Sequence, residues 1–182
     1  MGLSYFNATV KGPTQEAIVT YLKGQGASAL VSPTIQGITV IYEMAQGSDA
    51  LSAHFKCSVL LLGMHDDDIL GYGLYVNGAD EDSYESCPGY FTGGKIPPRG
   101  GDARKLCRAF GAEEAVETVD AMLRHPRIGY ALEQHQALVA ALGLPAFAAG
   151  ISGLVVLEHS EILPNYGLEA SHVVKIGDYR DK

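Results

Sequence analysis

The sequence predicts an α+β fold, a two-layer sandwich with a mainly antiparallel sheet and a helical C-terminal portion. Three observations lead there. Short β-rich runs and helical periods alternate as β-α-β-β-α-β-β-β through the first 92 residues. Asn77-Gly78 is a two-residue turn signal that sends the chain back beside the strand it leaves. Beyond the loop that ends at Gly101, the pattern changes to the 3.6-residue period of helices as far as Leu142.

Each element has a local reason. In Tyr5 to Val10, Phe6, Ala8 and Val10 share one face and Asn7 and Thr9 the other, as a strand requires. Thr14 is placed to cap a helix carrying Ala17, Ile18, Tyr21 and Leu22 on one side, ended by Gly24 and Gly26. Ala27 to Val31 and Ile38 to Tyr42 are β-rich and separated by Ser32-Pro33-Thr34, where proline cannot donate to a ladder. Ser48 is read as the cap of a second helix reaching about Lys56. Val59 to Met64 is an apolar run of central-strand length, and Ile69 to Val76 forms the next strand. The β-α-β-β-α-β order at the start resembles the ferredoxin-like arrangement.

The chain reads as a single domain, 1–182. Its sheet-rich part spans 1–92 and a loop, 93–101, contains GGKIPPRGG, which no regular element accommodates. A helix-rich part covers 102–145, with Asp102 and Gly111 bracketing its first helix and Tyr130 to Leu142 its clearest one. Late strands are expected within 150–178, over Gly153 to Glu158 and His172 to Ile176.

Composition narrows the function. A formal charge of −8 and a pI near 5.1, with no Lys/Arg stripe, repel phosphate backbones, so nucleic acid is not the expected partner. No apolar run reaches membrane-spanning length, and the first residues lack a basic stretch followed by an apolar one. The expected setting is the cytoplasm, with no membrane partner. Cys57, Cys87 and Cys107 make neither a disulfide framework nor a Cys-x-x-Cys site and read as structural thiols. No cofactor is called for.

The charge itself is segregated. Seven acids and no Lys or Arg lie between Ser58 and Phe91, whereas the rest of the chain balances 14 acids against 13 bases. These acids alternate with tyrosines, a combination usual at interfaces. The expected function is therefore binding or regulation through the segment 65–91, with a basic protein as partner and His65, Asp66, Asp67, Asp68, Tyr72, Tyr84 and Tyr90 as contacts. The alternative is a metal-dependent hydrolase using His65, Asp66 and Asp68 with a distant His54 or His135, since histidine and carboxylates are divalent-metal ligands. The acids at 66–68 and at 80–82 cannot share one ion, because an intervening strand separates them by roughly 26 Å.

Gly71 and Gly73 fall on one face of their strand and predict a shallow groove, open to a ligand or filled by a neighbouring ring. Gly89 to Lys95 begins like a phosphate-binding GxxxxGK loop. Ile96 and Pro97-Pro98 stand where a hydroxyl and a helix are needed, so no nucleotide site is expected. His135, among Leu132, Leu138 and Val139, reads as a hydrogen-bonded core histidine.

Overall fold

Alternation along the first strand decides the architecture. In β1 (Tyr5–Lys11), Tyr5, Asn7 and Thr9 face one side of the sheet, and Phe6, Ala8 and Val10 the other. The computed structural model describes residues 2–94 and 96–178. After β1 come α1 (Gln15–Gly24), β2 (Ala29–Val31), β3 (Ile38–Tyr42), α2 (Ser48–Phe55), β4 (Ser58–His65), β5 (Ile69–Val76) and β6 (Ala79–Glu85), in the expected order. They are followed by β7 (Arg99–Gly100), α3 (Ala103–Phe110), α4 (Val116–Arg124), α5 (Ala131–Ala141), α6 (Gly153–Glu158) and β8 (Val174–Ile176).

Among the described residues the strands form one sheet in the order β7-β6-β5-β4-β1-β3-β2-β8, every pairing antiparallel. The inner order β4-β1-β3-β2, with α1 and α2 on one face, is the ferredoxin-like beginning. Two hairpins then extend the sheet past β4. Asn77 and Gly78, at φ 53° and 87°, supply the left-handed pair that the tighter of these turns requires.

The two faces carry separate cores. Ala8, Val10, Ile41 and Val59 meet Ile18, Leu22 and Leu51 from α1 and α2. On the reverse, Leu60, Leu62, Leu70 and Leu74 pack against Leu106, Val119, Leu138 and Phe147 of the C-terminal portion. The C-terminal helices thus add a layer to the sandwich of sheet and N-terminal helices. Thr14 and Asp102 cap α1 and α3 as read from the sequence, Asp102 Oδ1 accepting from the Arg104 and Lys105 amides at 2.9 and 3.1 Å.

Three details differ from expectation. Gly153–Glu158 is helix rather than strand, because Ser152 Oγ accepts the Val155 N–H at 3.2 Å and Gly153 and Val156, three residues apart, are buried together. Gly47, at φ 84°, occupies the N-cap of α2, so Ser48 is its first helical residue and has a buried hydroxyl without a partner. The 93–101 loop contributes β7, with Arg99 and Gly100 pairing Glu85 and Tyr84.

One polar cluster joins the sheet to the C-terminal portion. The Tyr5 hydroxyl is hydrogen-bonded to His135 Nδ1 at 2.6 Å and accepts the Gly150 N–H at 2.9 Å. Burial disfavours the charged form of both rings: it pushes His135 down to about 3 and the Tyr5 hydroxyl upward. A neutral imidazole bonded to a neutral phenol follows. Asn7 Nδ2 donates to the Ile151 carbonyl at 2.8 Å, so adjacent inward side chains of β1 grip the same segment.

Candidate functional site

The N-terminal helices leave part of their face bare. Leu51 of α2 packs toward Val59, and Ala53 lies against the Asn77-Gly78 turn, where a Cβ on Gly78 would stand 2.6 Å from that of Ala53. The opposite ends of β4 and β5, around Gly63, His65, Ile69 and Gly71, border an open cavity of 370 Å³ instead.

Its floor follows from register. Phe6, Gly63, Gly71, Glu85 and Arg99 are successive cross-strand partners through β1, β4, β5, β6 and β7, so all five project on the same side. The Phe6 ring lies over Gly63, where an added Cβ would come within 2.5 Å of it, and the Tyr75 ring lies over Gly73. Above Gly71 no side chain intrudes; the nearest atom to an added Cβ is the Tyr84 carbonyl oxygen at 3.2 Å. The predicted glycine groove therefore exists, partly filled by two rings and open at Gly71. Leu61, Ile69 and Phe91 add apolar walls, with Glu85 and His65 at the rim. Phe6 and Phe91 are 48% and 76% exposed, large apolar surfaces for a solvent-facing edge.

The acidic turn sits beside this groove. His65 is exposed, with its ring 5.3 Å from Phe91 and 6.1 Å from Tyr90. Asp66 accepts from the Gly2 amide, Asp67 Oδ1 from the Leu132 N–H at 2.9 Å, and Asp68 Oδ2 from the Tyr90 hydroxyl at 2.5 Å. All three donors are neutral, so the turn keeps its negative charge. That hydrogen bond to Asp68 raises the Tyr90 hydroxyl above its ordinary range.

Tyr72 and Tyr84 do not belong to an accessible contact surface. They project to the other face, are 5% and 4% exposed, and stack at 5.5 Å between ring centres. Tyr72 donates to Asp82 at 2.7 Å and Tyr84 to the Leu123 carbonyl at 3.0 Å, which fixes the helical layer. Burial pushes Tyr84 up to about 12. Period 2 along β5 and β6 accounts for their placement, since register puts both beside Leu70 and Leu74.

The acids are also more occupied than their segregation suggests. Asp82 accepts the Asp102 N–H at 2.7 Å as well as Tyr72, Glu85 pairs with Arg99 at 2.9 Å, and Glu81 faces Lys105 at 3.8 Å. Much of the acid–base separation along the chain thus closes within the fold.

The hydrolase ligand set does not assemble. His54 stacks on Tyr21 at 4.5 Å between α2 and α1, and His135 is buried on the other side of the sheet from the His65 side chain. Among the described residues no three His, Cys, Asp or Glu side chains come together as a cation would need. No helix among them is long and apolar enough to cross a membrane. Phe6, Gly63 and Phe91, which line the groove, were not among the expected contacts; Gly63 lies inside an apolar run, and only register reveals it as the partner of Gly71.

Compared with protein-family models, with curated proteins and with solved structures, the chain matches none.

Proposed function

We propose that this chain is a binding or regulatory domain that grips a protein partner through the glycine-floored groove and the acidic turn next to it. The partner presents an apolar side chain beside basic ones. The observation that carries this reading is the Phe6–Gly63–Gly71–Glu85 row: a sheet face that two α-helices cover elsewhere is left open at Gly71, between a glycine under the Phe6 ring and one, Gly73, under the Tyr75 ring. Glycine in a strand interior weakens the strand, so an uncovered Gly71 has no stabilising role, whereas close approach of another chain would use the space. Charge supports the choice of partner. Asp66, Asp67 and Asp68 are held by neutral donors at the end of the groove and would draw in a basic segment.

The test is an NMR titration with two synthetic peptides, one alternating arginine with phenylalanine and one in which glutamate replaces each arginine. The basic peptide should move the amide signals of Gly63, Gly71 and Gly73, and the acidic one should leave them in place. Equal responses to both, or shifts confined to other regions, would reject the reading.

A further inference from the structure

We propose a second binding site, for a small organic acid: a carboxylate carried on an apolar body. It occupies the open cleft of 670 Å³ between Ser86, Cys87 and Ile96 to Pro98 on one side and the turn that follows α4 on the other, a volume in the range of ligand pockets, roughly 300–1,000 Å³.

The polar side of the cleft is basic. Arg124, His125 and Arg127 line it, and no carboxylate does among the described residues. Arg99 and Lys105, in contrast, face Glu85 and Glu81. Arg124 serves as a wall. Its guanidinium donates to the Gly100 carbonyl at 3.0 Å and to that of Gly101, and it faces Asp120 at 3.5 Å. Arg127 differs: it stacks on the Tyr130 ring at 3.9 Å, and among the described residues no carbonyl or carboxylate accepts from it. Stacking fixes the plane of a guanidinium while its N–H edge stays available, the geometry that takes a carboxylate in two parallel hydrogen bonds.

The remaining wall is apolar. Ile96, Pro97 and Pro98 approach from one side, Pro126 and Ile128 from the other, and the two isoleucines are 51% and 60% exposed. Exposed isoleucines flanking an unused guanidinium suit a ligand that is apolar at one end and anionic at the other. The prolines stiffen both rims, so little chain entropy is lost on binding.

Three probes decide the matter by NMR titration of the whole chain: 4-phenylbutyrate, the uncharged 4-phenylbutanol and inorganic phosphate. Phenylbutyrate should shift the amides of Arg124, His125, Arg127 and Ile128. The exposed substitution Arg127→Gln should weaken its binding by about tenfold, the loss expected for a charge-assisted pair. Ile128→Ser should weaken it as well, and the alcohol should bind the wild type as poorly as the acid binds Arg127→Gln. The proposal is overturned if phenylbutyrate produces no shifts, if Arg127→Gln binds it unchanged, or if phosphate binds as tightly, which would make this a bare anion site. Gly71→Val, which fills the other groove, should leave phenylbutyrate binding intact.

Discussion

Asp67 caps a helix from which it is separated by 65 residues: its Oδ1 accepts the Leu132 N–H at 2.9 Å, and its backbone carbonyl accepts that of Ala131 at 3.1 Å. The residue in the N-cap position of α5 is Tyr130, whose side chain caps nothing. An aspartate in the acidic turn therefore performs a folding task, satisfying amides that the first helical turn leaves open and placing negative charge at the positive end of the helix.

Asp67→Ala should destabilise the fold by about 1 kcal/mol, the usual cost of losing a cap. Asp68→Asn retains an acceptor for Tyr90 and should cost less. Urea denaturation of the two variants checks the order. Replacing Asp66, Asp67 and Asp68 together would mix a folding effect with a binding one, so Asp66 and Asp68 are the positions for association experiments.

Tyr5→Phe should cost about 1–3 kcal/mol, because it leaves His135 Nδ1 and the Gly150 amide buried without their shared partner. Denaturation measures the loss. The double variant Tyr5→Phe with His135→Leu should recover part of it by removing one of the two orphaned groups.

His135 also makes stability depend on pH. Unfolded, its imidazole takes up a proton near pH 6.5, whereas the buried ring does so only near 3. Between those values the unfolded chain binds the extra proton, so this group makes stability fall as pH falls, by at most about 1.4 kcal/mol per pH unit. Above 6.5 its contribution is flat. His135→Leu should flatten the acid limb of a stability–pH curve, and an unchanged limb would refute the assignment.

Leu138→Ala should cost about 2–5 kcal/mol, since Leu138 is 1% exposed within the helical-side core. Leu132, read from the same helical face, is only partly buried and should cost less. Thermal unfolding of the pair distinguishes the two positions.

The parts that were legible in the sequence are those set by local chemistry. Alternation in Tyr5 to Val10, the Thr14 and Asp102 caps and the Asn77-Gly78 turn involve neighbours along the chain, and each stands where its local pattern puts it. Ser152 carried an equally local signal, but the short apolar run after it, Leu154 to Leu157 with two valines, concealed the helix it starts. The site was legible only in part. Gly71 and Gly73 announced a groove, whereas Phe6 and Gly63 joined it through cross-strand register, which no local pattern reveals. Tyr72 and Tyr84 looked like interface residues by type. Register turned them inward, and long-range partners such as Leu132 and Lys105 engaged acids that appeared unopposed.

The central claim is that the space above Gly71 receives a partner, and substitution at that position tests it most directly. An added Cβ meets the Tyr84 carbonyl oxygen at 3.2 Å, a tight contact that the paired β6 backbone relieves by a shift of a few tenths of an ångström, so Gly71→Ala and Gly71→Val should fold at a cost of about 1–3 kcal/mol, offset in part by their lower chain entropy. The measurement is the affinity for the arginine–phenylalanine peptide by isothermal titration, with urea denaturation run alongside. The account predicts affinity falling from glycine to alanine to valine while both variants remain folded at the temperature of the titration. A valine variant that folds and binds as tightly as the wild type would contradict it.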